Sequence, residues 1–215
     1  MIRSVNLGQV RTGDWTGYFP QSAIDKRPAE GPVRAGRLGL SGDQVIDTRH
    51  HGGVDKAAYA YAREDLDWWG AELGTPLSNG TFGENLTTTG IDVNEALVGE
   101  RWRVGTALFE VCSARIPCNT FKGWMGFSGY DADQWVRRFT LRALPGPYLR
   151  VIEEGVLAGG DELVVEHRPD HDVTVRTMFR ALTTERELLP ALLAVKDLTP
   201  EARVRAEKYV AERGG

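Results

Sequence analysis

A chain of 215 residues that is 41% hydrophobic and 26% charged has a globular composition and enough length for a proper core, which excludes wholesale disorder. Its net charge of −4 gives no general attraction for nucleic acid or anionic lipid, so any bound anion must be held by a local site. No apolar run approaches the roughly 18 residues of a membrane-spanning helix, and the start MIRSVNLGQVRTGDW lacks the apolar stretch of a secretory leader. A cytoplasmic location is the expectation, with both cysteines, Cys112 and Cys118, present as thiols rather than as a disulfide framework.

Through residue 166 short runs of Val, Leu, Ile, Tyr and Trp are broken by turn signals, as in RWRVGTALFEV and YLRVIEEGVLAGGDELVVEH. Such spacing predicts strands and hairpins, and their number favours a β-barrel or sandwich with binding residues on loops at its mouth. EGPVRAGRLGLSGD (30–43) reads only as a turn-rich loop. Two helices interrupt the strands. REDLDWWGAEL puts Leu66, Trp69 and Leu73 on one face, and DADQWVRRFTLRAL groups Ala132, Trp135, Phe139 and Ala143; core packing is the first reading of these tryptophans.

After His167 the pattern turns helical, and of the 25 glycines only Gly214 and Gly215 lie in this tail. Val175, Met178, Phe179 and Leu182 follow a helical stripe behind Thr174 as N-cap. Leu188, Leu189, Leu192 and Leu193 form a second apolar face that Pro190 must delay or kink, and Thr199–Pro200 opens a third helix running toward Gly214. The chain thus divides into a β-rich unit, 1–166, and a three-helix unit, 167–215. The tail carries 9 Lys and Arg against 8 Asp and Glu, a balance that argues against DNA binding.

Three stretches could carry chemistry. DTRHHGGVDKAAYAY places imidazole, carboxylate and ammonium on one glycine turn at a strand's entrance. From spacing alone it is either a polar site or a solvated loop. SNGTFGENLTTTG is either a pocket lining or a long hairpin loop with Phe82 and Leu86 inward, and it matches no phosphate-loop or dinucleotide pattern. In ALFEVCSARIPCNTF the strand is expected to end near Pro117. That leaves Cys112 filling core space and Cys118 at the sheet's rim, where Arg115 would favour its thiolate, the form that binds metals or attacks electrophiles. A zinc site from His50, His51, Cys112 and Cys118 is disfavoured, because adjacent histidines diverge and the cysteine spacing is wrong for a structural knuckle.

Taken together, GLSGDQVIDTRHHGGVDKAAYAYAREDLDWW, GTFGENLTTTGIDVNEALVGERWRVG and ARIPC, in that order, resemble the MOSC domain, named for the C-terminal part of molybdenum cofactor sulfurases. The resemblance is to stand-alone YiiM-type members, and the tail is similar to their small 3-alpha domain. It implies a mainly β fold with peripheral helices, a barrel of the pyruvate-kinase barrel-like type, and a pocket for molybdenum cofactor (molybdopterin). Cys118 matches the family's key cysteine, a molybdenum ligand and catalytic group. His51 falls with it on the catalytic side, and Lys26, Lys56, Arg115 and Asn85 fall on cofactor-binding positions. The implied reaction is reduction of a small N-hydroxylated substrate, such as 6-N-hydroxylaminopurine, with electrons from a separate reductase, since no flavin or iron–sulfur motif is present. A non-redox carrier of cofactor or sulfur is the competing reading. The chain departs from the family pattern at Ser113–Ala114, where many relatives read Gln-Pro before the arginine.

Overall fold

The computed structural model describes residues 1–48 and 51–213. Among the described residues there are eleven strands: β1 Ile2–Thr12, β2 Gln21–Pro28, β3 Val33–Gly36, β4 Gly39–Leu40, β5 Ala58–Ala62, β6 Leu86–Thr88, β7 Arg101–Val104, β8 Ala107–Ala114, β9 Pro147–Glu153, β10 Gly155–Leu157 and β11 Leu163–His167. Five α-helices accompany them: α1 Arg63–Leu73, α2 Asn119–Phe127, α3 Trp135–Arg142, α4 Val175–Thr183 and α5 Pro200–Ala211. Eight strands form one sheet in the order β11-β7-β8-β9-β5-β6-β1-β2, and β10-β3-β4 form a second. All pairings are antiparallel except β5 with β6.

The closed barrel implied by the family resemblance is observed only as this long, mostly antiparallel sheet: among the described residues no ladder joins β11 to β2. The β1–β2 ladder shifts register between Gln9 and Arg11, and such a bulge bends an edge away from continued pairing. The stretch 30–43 is more than a loop, because it contains β3 and β4 and their hairpin.

Helix α1 matches its prediction, with Leu66 and Trp69 buried. Helix α3 is shorter than its apolar stripe because Gln134 and Ala143 adopt left-handed backbone at its two ends (φ 46° and 51°). Helix α2 was not read from the sequence, although Phe121, Trp124 and Met125, all buried, stand at i, i+3 and i+4. Its close approach to the Asp14–Thr16 turn requires Gly123, where a methyl group would overlap the Trp15 carbonyl. Trp69, Phe82, Phe121, Trp135 and Phe139 meet in tilted and edge-to-face contacts at 4.8–6.3 Å. The tryptophans Trp69 and Trp135 are therefore core, as expected.

In the tail, the Thr174 side chain accepts from the Thr177 N–H at the start of α4. Arg186–Ala194 forms a 3-10 helix around Pro190, a spacing that tolerates the missing N–H better than a long α-helix. Thr199 precedes α5, but its side chain makes no capping hydrogen bond. Val175 and Phe179 of α4 join the main core, while Met178 and Ala181 join a second cluster with Leu189, Leu192, Ala202, Ala206 and Tyr209. No helix among the described residues is long and apolar enough to cross a membrane.

One half-buried carboxylate gives the fold a pH signature. Asp65 on α1 accepts from Asn94 Nδ2 at 2.8 Å, and Asn94 Oδ1 accepts from the Gly146 N–H at 3.0 Å. Burial pushes Asp65 from 3.8 up to about 6. The native state therefore keeps a proton that the unfolded chain has lost, and this group's stabilising contribution falls as pH rises from about 3.8 to about 6. The urea midpoint of the wild type relative to that of Asp65→Asn is expected to fall as pH rises across that window, and an unchanging difference would show that Asp65 does not titrate there.

Candidate functional site

A cavity of about 1600 Å³ opens between β2, the segments 41–47 and 51–56, the end of β8, the start of α2 and the C-terminal helices. Lys26, His51, Lys56, Asn85, Arg115 and Cys118 all line it, so six residues drawn from four separate stretches of sequence meet at one place. Met178, Leu182, Thr199 and Arg205 of the tail supply part of its wall.

Strand β8 ends at Ala114, earlier than Pro117, and the Arg115 N–H donates to the Gly146 carbonyl at 3.1 Å. The Arg115 side chain is buried and its guanidinium lies 3.7 Å from the centre of the Phe121 ring, at the edge of the aromatic core. Among the described residues it has no carboxylate partner, and its Nη1 makes no hydrogen bond. Aromatic faces offset part of the cost of burying this cation, and a bound anion would offset more.

Cys118 follows Pro117 as the residue that caps α2, half-buried and in extended backbone (φ −131°). Cys112 is buried, and burial pushes its thiol up to about 12. The expected assignment of core filler describes it incompletely, because its S–H also donates to the Asp55 carbonyl and so pins the turn that carries Lys56.

That turn depends on Gly52 and Gly53, both in left-handed backbone (φ 73° and 79°) that disfavours a side chain. The His51 N–H donates to the Asp47 carbonyl at 2.9 Å, Asp55 pairs with Arg150 at 2.8 Å, and the Lys56 ammonium stands 5.7 Å over the Tyr148 ring. His51 Nδ1 is 3.1 Å from the Tyr148 hydroxyl. His50 lies outside the described residues, so the double-histidine motif is described here through His51 alone.

Lys26 and Asn85 do something the sequence did not suggest. Both Asp43 carboxylate oxygens contact Lys26 Nζ, at 2.5 and 2.7 Å, and Asp43 also accepts from the Gly8 N–H at 2.6 Å and from Asn85 Nδ2 at 2.8 Å. Burial depresses the Lys26 ammonium despite the pull of Asp43. The second Asn85 amide proton goes to the Asn6 carbonyl at 3.2 Å, and Asn85 Oδ1 accepts from the Tyr59 N–H at 3.1 Å. These two residues therefore build a neutralised wall around Asp43, and Arg115 and Lys56 stand elsewhere on the cavity lining.

Sequence reasoning missed Asp43 and Tyr148. Asp43 ends the stretch taken for a turn-rich loop, and Tyr148 looks like an ordinary strand aromatic. No three His, Cys, Asp or Glu side chains among the described residues converge into a metal cage.

The model of the MOSC domain matches residues 47–164. The uncharacterized protein YflK of Bacillus subtilis (strain 168) is 33% identical over 175 residues, covering 81% of this chain and 77% of its own length. A protein of Gibberella moniliformis (strain M3125 / FGSC 7600) named Reductase is 28% identical over 174 residues, 79% of this chain but only 30% of that longer protein. The crystal structure of YiiM from Geobacillus stearothermophilus superposes with a TM-score of 0.79 at 26% identity, covering 98% of both chains.

Proposed function

Because the chain belongs to the MOSC domain family, we propose that it binds molybdenum cofactor and reduces small N-hydroxylated compounds to amines with electrons from a separate reductase protein. The observation that carries the reading is the convergence of a half-buried thiol, a buried guanidinium without a carboxylate partner and the His51–Lys56 turn on one cavity.

The residues fit the group. A buried guanidinium without a carboxylate suits the phosphate of a pterin cofactor, and Lys56 adds a second cation on the same wall. Cys118 offers a soft sulfur ligand to a metal already in a dithiolene environment, which removes the need for a cage of protein ligands. At about 1600 Å³ the cavity exceeds the ~300–1,000 Å³ that encloses one small ligand, so a substrate has room beside the cofactor.

When bound, the cofactor supplies the two-electron redox centre. The chain's own residues do the rest. Cys118 and Arg115 anchor, the Asp43 wall excludes water, and His51 holds a proton near the departing oxygen. The overall change is breakage of the N–O bond, with two electrons and two protons taken up and water released. Proton delivery of this kind contributes about 10²–10⁴-fold.

Purified holoenzyme supplied with a chemical electron donor is expected to convert 6-N-hydroxylaminopurine to adenine, and His51→Ala to lose about a hundredfold in rate. Full cofactor loading without any turnover would favour the carrier reading, and an unaltered rate in His51→Ala removes that side chain from the chemistry.

A further inference from the structure

We propose that Tyr148 is a positioning residue whose phenolic O–H donates to His51 Nδ1, fixing the imidazole as the Nε2–H tautomer at the cavity wall. The inference rests on the reading of His51 as the group that holds a proton, and it extends that reading to the nitrogen concerned.

Tyr148 lies on β9 directly across from Ser113 of β8, and it lines the same cavity. Its hydroxyl and His51 Nδ1 are 3.1 Å apart. Such a contact runs in one of two directions, phenol O–H to Nδ1 or Nδ1–H to the phenol oxygen. The neighbours choose between them. The Arg115 guanidinium lies beside the phenol and favours negative charge on its oxygen; guanidinium is a donor only, so the oxygen lone pairs are best turned toward it. That leaves the O–H for the imidazole. The phenol has this proton to give at physiological pH, because burial pushes it up to about 12 against the pull of Arg115. A neutral imidazole carries one N–H, so a Nδ1 that accepts places the proton on Nε2.

The arrangement also explains how a turn built on two left-handed glycines can present a fixed side chain. The backbone of the turn is tied by the Asp47 carbonyl and by the Asp55–Arg150 pair. Tyr148, ninety-seven residues away, ties the ring.

The tautomer can be read directly from nitrogen-edited NMR spectra of the full chain, with and without cofactor. Four histidines are present, and His51→Gln assigns the signal. At mildly alkaline pH the wild type is expected to show His51 protonated at Nε2, and Tyr148→Phe to raise the Nδ1–H population about five- to tenfold, the equivalent of one hydrogen bond. A wild-type proton on Nδ1 overturns the proposal, and so does a Tyr148→Phe spectrum identical to the wild type. The wild-type spectrum decides the direction even if the variant does not fold. In turnover, Tyr148→Phe is expected to lower the rate with substrate affinity unchanged. Should the tautomer be as stated while neither Tyr148→Phe nor His51→Ala slows the reaction, it is the proton role of His51 that fails.

Discussion

Protein carrying Cys118→Ala is expected to come out of a cofactor-making host with at least tenfold less molybdenum per chain than the wild type, while remaining folded. The two halves of that expectation have separate grounds. Cys118 is half-buried at the cavity, beyond the end of β8, so removing its sulfur opens no sealed core space and costs little stability. No other cysteine can replace it: Cys112 is sealed in the sheet with its S–H given to the Asp55 carbonyl. A thiolate-to-oxygen change is nearly as severe for a soft metal, so Cys118→Ser is expected to resemble Cys118→Ala. Elemental analysis on matched preparations checks both, with thermal melting to verify the fold. Equal metal in wild type and Cys118→Ala would overturn the ligand assignment.

The largest stability effect is expected at Asp43→Ala, with a loss of about 3–5 kcal/mol, because one carboxylate compensates a buried ammonium and accepts from both Gly8 and Asn85. Its removal leaves Lys26 about nine-tenths buried without that carboxylate, so the amine must either carry its charge at a desolvation cost or give up its proton. The sign of the mechanism is testable by a double mutant. Adding Lys26→Met removes the stranded charge and is expected to recover part of the loss, roughly 1–3 kcal/mol. Denaturant unfolding of the four proteins in the cycle gives the coupling. Simple additivity of the two substitutions would mean that the ion pair is not what stabilises this wall.

Much of the fold was legible because its signals are local. The apolar spacing of Leu66 and Trp69 found α1, and Thr174 announced the start of α4. The six candidate residues were found as motifs and do share one cavity. What stayed hidden depends on partners far along the chain. Asp43 reaches Lys26, Asn85 and Gly8, and Tyr148 reaches His51, across separations of 17 to 97 residues. A period of apolar residues carries no trace of such pairings. Lys26 and Asn85 show the same gap from the other side, since the family resemblance put them at cofactor-binding positions while their hydrogen bonds are spent within the wall. Helix α2 was overlooked for a local reason: Pro117 and a cysteine cap disguised its start.

The cavity wall runs from Lys26 near the N-terminus to Arg205 in the final helix. A molecule that occupies it is therefore thermodynamically linked to both ends of the polypeptide, and its occupancy adds RT ln(1 + [L]/Kd) to the resistance of those ends to opening. Under the proposed function, a loaded protein would hold its last fifty residues more tightly than an empty one, so that cofactor capture would double as a clamp on the tail.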